Sequence, residues 1–272
     1  MPDVTILLPM AALLLLIGAF AGILAGLLGV GGGLVLVPAF FYAFSALGHD
    51  SPDLMRICLA TSLATIIFTS LRSVTAHNRK GAVDRDILKT WAPGIMAGAF
   101  TGALVVLVLR SAVLQGLFGL LGICIALYMT FARAHWRIGP RMPAGVTRAG
   151  LSAATGFLSV LMGIGGGSFG VPLMTLYGRP IHQAVATASG FGALIAAPSL
   201  IGFLAYQPDL APPFTVGVVN LPAFALVVVA TWLTAPFGAR LAHMLDPLRL
   251  RRIFALFLTL VALNMLREAL GW

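Results

Sequence analysis

Long apolar runs separated by short polar or basic stretches fill this chain from end to end. Runs of about twenty mostly apolar residues are long enough to span a bilayer, and lipid forbids unpaired backbone, so the pattern predicts membrane helices. Alternating ten-residue strands of a barrel are absent. A first helix is predicted over residues 6–28, then a glycine-rich break, a short segment over 34–44, and longer helices over 55–76, 87–109 and 113–131. A second series follows: a helix over 147–162, another break, a short segment over 168–177, and helices over 183–206, 218–242 and 250–270. Prolines at 93, 198, 222 and 236 are expected to kink or end helical turns. Only Asp3 precedes the first run as a charge, and that run exceeds the apolar length of a secretory signal, so it reads as a retained span.

The two series are copies of each other. Gly29-Val30-Gly31-Gly32-Gly33 with Pro38 returns as Gly163-Ile164-Gly165-Gly166-Gly167 with Pro172, and Gly22, Leu24 and Leu27 return as Gly156, Leu158 and Leu161. Further on, Ala60-Thr61 matches Ala186-Thr187, Gly81 and Asp84 match Gly217 and Asn220, and Gly102-Ala103 matches Gly238-Ala239. The duplication therefore covers nearly the whole chain. It divides the chain into a first transmembrane repeat, residues 1–134, and a second, residues 135–272, which together form one transport domain.

Composition sharpens the class. With 60% hydrophobic residues, 9% charged residues and a mean hydropathy of +1.02, the chain cannot hide its apolar surface in a soluble core. A net charge of +9 would suggest nucleic acid in a soluble protein, but here the basic residues collect in a few loops. Those loops hold Arg79, Lys80, Arg85 and Lys89; Arg133, Arg137, Arg141 and Arg148; and Arg240, Arg249, Arg251 and Arg252. They are expected to face the cytoplasm, with the amino terminus and residues 207–214 outside. The matched loops after Ala76 and Tyr206 then lie on opposite sides, which requires inverted repeats. The short segment after each break either crosses at a slant or re-enters, so the expected fold is all-α and polytopic, with about 8 to 10 membrane segments.

The glycine breaks carry the candidate chemistry. Three consecutive glycines free the backbone from helical geometry and let a ligand approach main-chain N–H groups. New segments start at Leu34 and Ser168, where free N–H groups and a positive dipole end favour an anion. Gly31, Gly32, Gly33 and Leu34 with Gly165, Gly166, Gly167 and Ser168 are therefore candidate substrate-binding residues, with Pro38 and Pro172 as hinges. The alternative is that glycine only permits close helix packing, as expected for Gly18-xxx-Gly22-xxx-Gly26 and Gly94-xxx-Gly98-xxx-Gly102. Gly165-x-Gly167-x-x-Gly170 nominally fits a dinucleotide pattern, but no strand-helix-strand unit surrounds it.

Thr61, Thr65, Thr69 and Ser73 recur every four residues and line one helix face. Thr61 and Thr65, with Thr187 and Ser189 in the second half, are candidate donors to an anion; hydrogen bonds to the i−4 carbonyl are the alternative. Arg72 is either an electropositive guide for substrate or a cation snorkelling to the basic loop, and Asn264 is a weaker candidate. The acidic residues Asp3, Asp50, Asp53, Asp84, Asp86, Asp209, Asp246 and Glu268 all fall near predicted span ends, leaving no mid-depth carboxylate as a proton or sodium carrier. Histidines 49, 77, 135, 182 and 243 lack metal-ligand spacing, and Cys58 and Cys124 form no redox pair, so no metal, cofactor or catalytic set is expected. An inside-negative potential drives an anion outward with about 2.3 kcal/mol per charge per 100 mV, which fits uncoupled efflux, while backbone carbonyls leave sodium coupling open.

The two glycine motifs with Pro38 and Pro172, the paired Ala60-Thr61 and Ala186-Thr187, and the Arg79-Lys80-Gly81 loop resemble the TauE/SafE family of sulfite exporters over essentially the entire length. The resemblance implies an inner-membrane permease for sulfite, an organosulfonate or another small sulfur-containing anion, working in sulfur metabolism. The second half lacks the basic pair found at Arg79-Lys80. The leading expectation is export of a small oxyanion by alternating access of two inverted halves, with membrane lipid as its surroundings. The alternatives are an uptake permease or channel for another anion such as a carboxylate, and a structural membrane subunit without transport.

Overall fold

The computed structural model describes residues 4–29, 31–131, 136–241, 244 and 247–271, with the side chains of 4–8, 28 and 247–254 left outside that description. Among the residues singled out by sequence, Asp3, Val30, Arg133, His135, His243 and Asp246 lie outside the described residues, as do the side chains of Arg249, Arg251 and Arg252.

Ten helices are described: α1 (Val4–Leu28), α2 (Gly33–Ala46), α3 (Leu54–Asn78), α4 (Arg85–Val108), α5 (Ser111–Phe131), α6 (Gly145–Leu161), α7 (Gly167–Leu176), α8 (Ile181–Ala205), α9 (Leu221–Leu241) and α10 (Pro247–Ala269). Six of them hold apolar stretches long enough to cross a membrane: α1, α3, α4, α5, α8 and α9. At 1.5 Å per residue, α2 and α7 reach only about 21 and 15 Å, short of the roughly 30 Å hydrocarbon. The chain is an all-α polytopic membrane protein. Among the described residues its one departure is a two-residue antiparallel ladder, β1 (Thr215–Val216) with β2 (Val219–Asn220), just before α9. That ladder starts α9 three residues later than the expected 218, because Val219 and Asn220 are held in the hairpin and the Asn220 side-chain oxygen accepts from the Ala223 N–H at 3.1 Å. Pro93, Pro198 and Pro236 are carried inside α4, α8 and α9, and Pro222 sits in the first turn of α9, where its missing N–H costs nothing.

Helix pairing follows the small residues. Along α1, Gly18 meets Val227 and Ala230, Gly22 meets Thr231 and Thr234, and Gly26 meets Ala235 and Ala239, so α1 and α9 run side by side in the same direction. Along α4, Gly94 meets Ala149 and Ser152, Gly98 meets Ala153, and Gly102 meets Phe157 and Val160, so α4 and α6 do the same. A methyl group on Gly26 would sit 2.0 Å from the Ala235 carbonyl oxygen, and one on Gly98 would sit 1.9 Å from that of Ala153. Backbones touch there, which is how helices gain van der Waals energy in lipid, where apolar side chains alone give little preference for each other.

Helix α5 runs against α10, since Gly116 faces Ala269, Gly119 faces Leu266 and Gly122 faces Leu258. Helix α3 runs with α9: Thr61 holds the Asn220 N–H at one end, and His77 reaches the Gly26 carbonyl at 3.0 Å at the other. Helix α8 runs with α4, through Thr187 on Asp84 and Ser199 on the Ala99 carbonyl. A short connection joins α3 to α4, so α3 and α8 are antiparallel neighbours at the centre. The basic loop after α3 and the basic carboxyl end of α9 fall at one end of the bundle, and the loop after α8 falls at the other.

Candidate functional site at the glycine breaks

After α1 the chain turns through Gly29, Gly31 and Gly32 at φ of 68°, 76° and 80°, a left-handed path that costs a side-chain-bearing residue about 1–2 kcal/mol at each step. The turn brings Gly32 back beside Ala21, so α2 runs back along α1. In the second half the chain leaves α6 through Gly163 at φ 61°, and α7 starts after Gly166.

The two breaks meet. A methyl group built on Gly31 would lie 3.1 Å from the Gly165 Cα, and one on Gly33 would lie 2.3 Å from the Gly163 carbonyl oxygen and 2.7 Å from the Ile164 Cα. Gly31 also touches Ile66, the middle of α3, and Gly166 lies under Phe191 near the middle of α8. Ser62 donates its hydroxyl to the Gly163 carbonyl at 2.8 Å and ties the second break to α3. Leu59, Val37, Val185 and Ala188 are further near neighbours of these glycines, and none of them is charged.

The two short helices begin differently. At α2 the Val35 and Leu36 N–H groups both donate to the Gly32 carbonyl, at 3.0 and 3.1 Å. At α7 the Gly170 N–H donates to the Gly166 carbonyl at 2.7 Å; the N–H groups of Gly165 to Ser168, like those of Gly31 to Leu34, have no partner among the described residues, and the Phe169 N–H, unlike that of Val35, has none either. Ser168 is 5% exposed and its Oγ also lacks a partner there, whereas Leu34, in the same place on α2, is fully buried hydrocarbon. Pro38 and Pro172 lie inside α2 and α7, each removing one backbone donor from its short helix.

The structure places the candidate hydroxyls in two groups. Thr61 and Thr187 perform the same task in the two halves: their Oγ1 atoms accept the N–H of Asn220 at 3.0 Å and of Asp84 at 2.9 Å, at the starts of α9 and α4. Asp84 in turn accepts the Ile87 N–H at 3.0 Å, as Asn220 does that of Ala223. Thr65 and Thr69 donate to carbonyls one turn back, at 2.9 and 3.1 Å, and Ser189 donates to Ala186 at 2.7 Å. Ser70, Ser73 and Ser159 are buried without a hydroxyl partner among the described residues, with Ser70 against Gly192. Arg72 lies over the Trp232 ring at 5.2 Å, on the α9 side of α3 where Phe68 also meets Phe224, and so not at the glycine crossing. Asn264 donates to the Tyr42 hydroxyl.

One cluster escaped sequence reasoning. Arg56 pairs with Asp53, donates to the Leu109 carbonyl at 2.9 and 3.2 Å and to the Tyr206 hydroxyl at 3.0 Å, and so joins the start of α3 to the carboxyl ends of α4 and α8 at the end away from the basic loops. The signal was an acid and a base three residues apart at a helix start, facing a tyrosine at the end of the matching helix. At the other end Arg179 stands 3.5 Å from Asp84, half exposed and correspondingly weaker. Among the described residues no group of three His, Cys, Asp or Glu side chains is placed to hold a metal ion.

Comparison with known proteins places this arrangement among transporters. A probable membrane transporter protein of Haemophilus influenzae is 32% identical over 255 residues, spanning 93% of this chain and 97% of that one. A probable membrane transporter protein of Methanocaldococcus jannaschii is 29% identical, over 93% and 94%, and one of Bacillus subtilis, YunE, is 28% identical, over 95% and 98%. No solved structure matches the chain. The profile described as Sulfite exporter TauE/SafE matches residues 14–265, the stretch that holds both glycine breaks and the helices that cross them, and the chain belongs to that family of membrane transporters.

Proposed function

We propose that the chain is an inner-membrane permease that exports a small sulfur oxyanion, sulfite or an organosulfonate, by alternating access between two inverted repeats. The observation that carries this reading is the meeting of the two glycine breaks, Gly31 against Gly165, level with the middles of α3 and α8, where α2 and α7 both begin. Helix starts deliver N–H donors and a partial positive charge without a fixed cation, which suits an anion that must also leave. Broken helices paired between related halves are how many transporters build a central site.

The inverted relation is supported by direction: the sequence-matched pairs α3 with α8 and α5 with α10 each run antiparallel, while α1 and α6 exchange partners by lying on α9 and α4. The sulfur assignment rests on the family description. Positive-inside loops orient the molecule with the α3–α4 connection in the cytoplasm, and the membrane potential then suffices to drive an anion outward.

The test is flux of labelled sulfite in proteoliposomes of the full chain under a set potential, beside Gly32→Val and Gly166→Val. Flux from the parent without a proton or sodium gradient, and its loss in the variants, is the expected result. Valine at 166 must displace Phe191, whose Cβ lies 2.2 Å from the new methyl position, so each variant is first shown to be folded and monodisperse. Unchanged flux through folded variants would remove the site.

A further inference from the structure

The two helix starts at the crossing are unequal, and the inequality bears on what they hold. At α2 the Val35 N–H is taken by the Gly32 carbonyl, those of Gly31, Gly32, Gly33 and Leu34 have no partner among the described residues, and the residue in the place of Ser168 is Leu34. At α7 five consecutive N–H groups and the Ser168 hydroxyl have no partner among the described residues, although Ser168 is 5% exposed and its Oγ is out of reach of solvent. A buried hydroxyl beside a row of buried N–H groups is costly to leave empty. Oxygen acceptors, several of them close together, satisfy such a row.

Charge limits the ligand as firmly as hydrogen bonding does. No basic residue lies between His49 and the amino terminus or between Arg148 and Arg179, and the nearest neighbours of the described break glycines are uncharged. A helix start supplies roughly half an elementary charge, so two of them together offset about one. The cost of bringing an ion out of water rises with the square of its charge, and a dianion here would keep about one unit uncompensated in a low-dielectric site.

Resting on the permease reading above, we propose that the site selects a singly charged oxyanion, a sulfonate or hydrogensulfite rather than sulfate or the sulfite dianion, seated on the start of α7 with Ser168 as its one side-chain donor. Ser168 is then a specificity-determining residue, and the side-chain donor comes from one half only, although both helix starts contribute charge.

The experiment uses full-chain proteoliposomes at a clamped potential with three labelled probes: methanesulfonate, sulfate, and sulfite across a range of pH from weakly acid to alkaline. Methanesulfonate stays a monoanion throughout, so the ratio of sulfite to methanesulfonate flux removes any effect of pH on the protein. That ratio is expected to fall with the hydrogensulfite fraction, and sulfate is expected to be carried poorly. Ser168→Ala raises the half-saturating methanesulfonate concentration about 10- to 100-fold, the worth of one hydrogen bond to a charged group, while Ser168→Thr keeps it near the parent value. A ratio that holds or rises as hydrogensulfite disappears, sulfate flux equal to methanesulfonate flux, or an alanine variant identical to the parent overturns the proposal and leaves the permease standing. A parent that carries no anion at all removes both.

Discussion

Alanine at position 33 tests the crossing itself. Gly33 is the first residue of α2 and has no left-handed φ, so by backbone preference alone alanine is tolerated or favoured, by up to about 1 kcal/mol. The new methyl would nevertheless fall 2.3 Å from the Gly163 carbonyl oxygen, where ordinary contact begins at 3.4 Å, so the breaks must part by the difference, about 1.1 Å. Ile164 stands behind that oxygen, 2.7 Å from the same point, and both obstacles are backbone. Forcing a methylene into a filled site costs about 1–3 kcal/mol. Gly150 in α6 is the matched control, because a methyl there meets nothing within 4 Å. The backbone gain of alanine is common to both helices, so Gly33→Ala should be less stable than Gly150→Ala by about 1–3 kcal/mol, read as denaturation in detergent, and should lose transport while Gly150→Ala keeps it. Equal stability and equal flux in the two would show that the breaks do not meet as described, and the site would go with them.

Thr61→Val and Thr187→Val each leave a helix-start N–H without its acceptor, and each should cost about 1–3 kcal/mol, with costs that add because the two junctions lie at opposite ends of the bundle. Loss of flux at unchanged melting would instead return these hydroxyls to the substrate. For sidedness, cysteines placed at the exposed Asn78 and Asp209 in a Cys124→Ala background, with Cys58 left buried, should react with an impermeant maleimide from opposite faces of the membrane; reaction from one face contradicts the inverted arrangement.

Much of this fold was written in one dimension. Helix limits follow the apolar runs to within a few residues, because lipid sets both length and polarity of a span. The alignment of Gly81 and Asp84 with Gly217 and Asn220 became two equivalent helix caps, each fed by the threonine that the same alignment pairs, Thr187 and Thr61. Partner choice was not legible: the glycine ladders at 18, 22, 26 and at 94, 98, 102 mark faces that must be covered, but spacing does not say that α9 and α6 cover them. The hydroxyl stripe on α3 was visible as a face, yet which hydroxyls turn back to carbonyls depends on rotamers that packing selects. Arg56 escaped because a cation at a span end resembles any snorkelling residue until Tyr206 and the Leu109 carbonyl are brought to it by folding.

The exchange of first helices has a consequence for biogenesis. α1 leaves the translocon with its glycine ladder bare, and its mate α9 emerges only after α2 through α8 have been synthesised, which at about 5–20 residues per second is on the order of 10 to 40 s. For that interval the ladder is open to the wrong neighbour, and a nascent chain truncated before α9 keeps it open permanently. Gene fragments encoding one half should therefore be substrates for membrane quality-control proteases, whereas both halves made together as separate polypeptides should rescue one another.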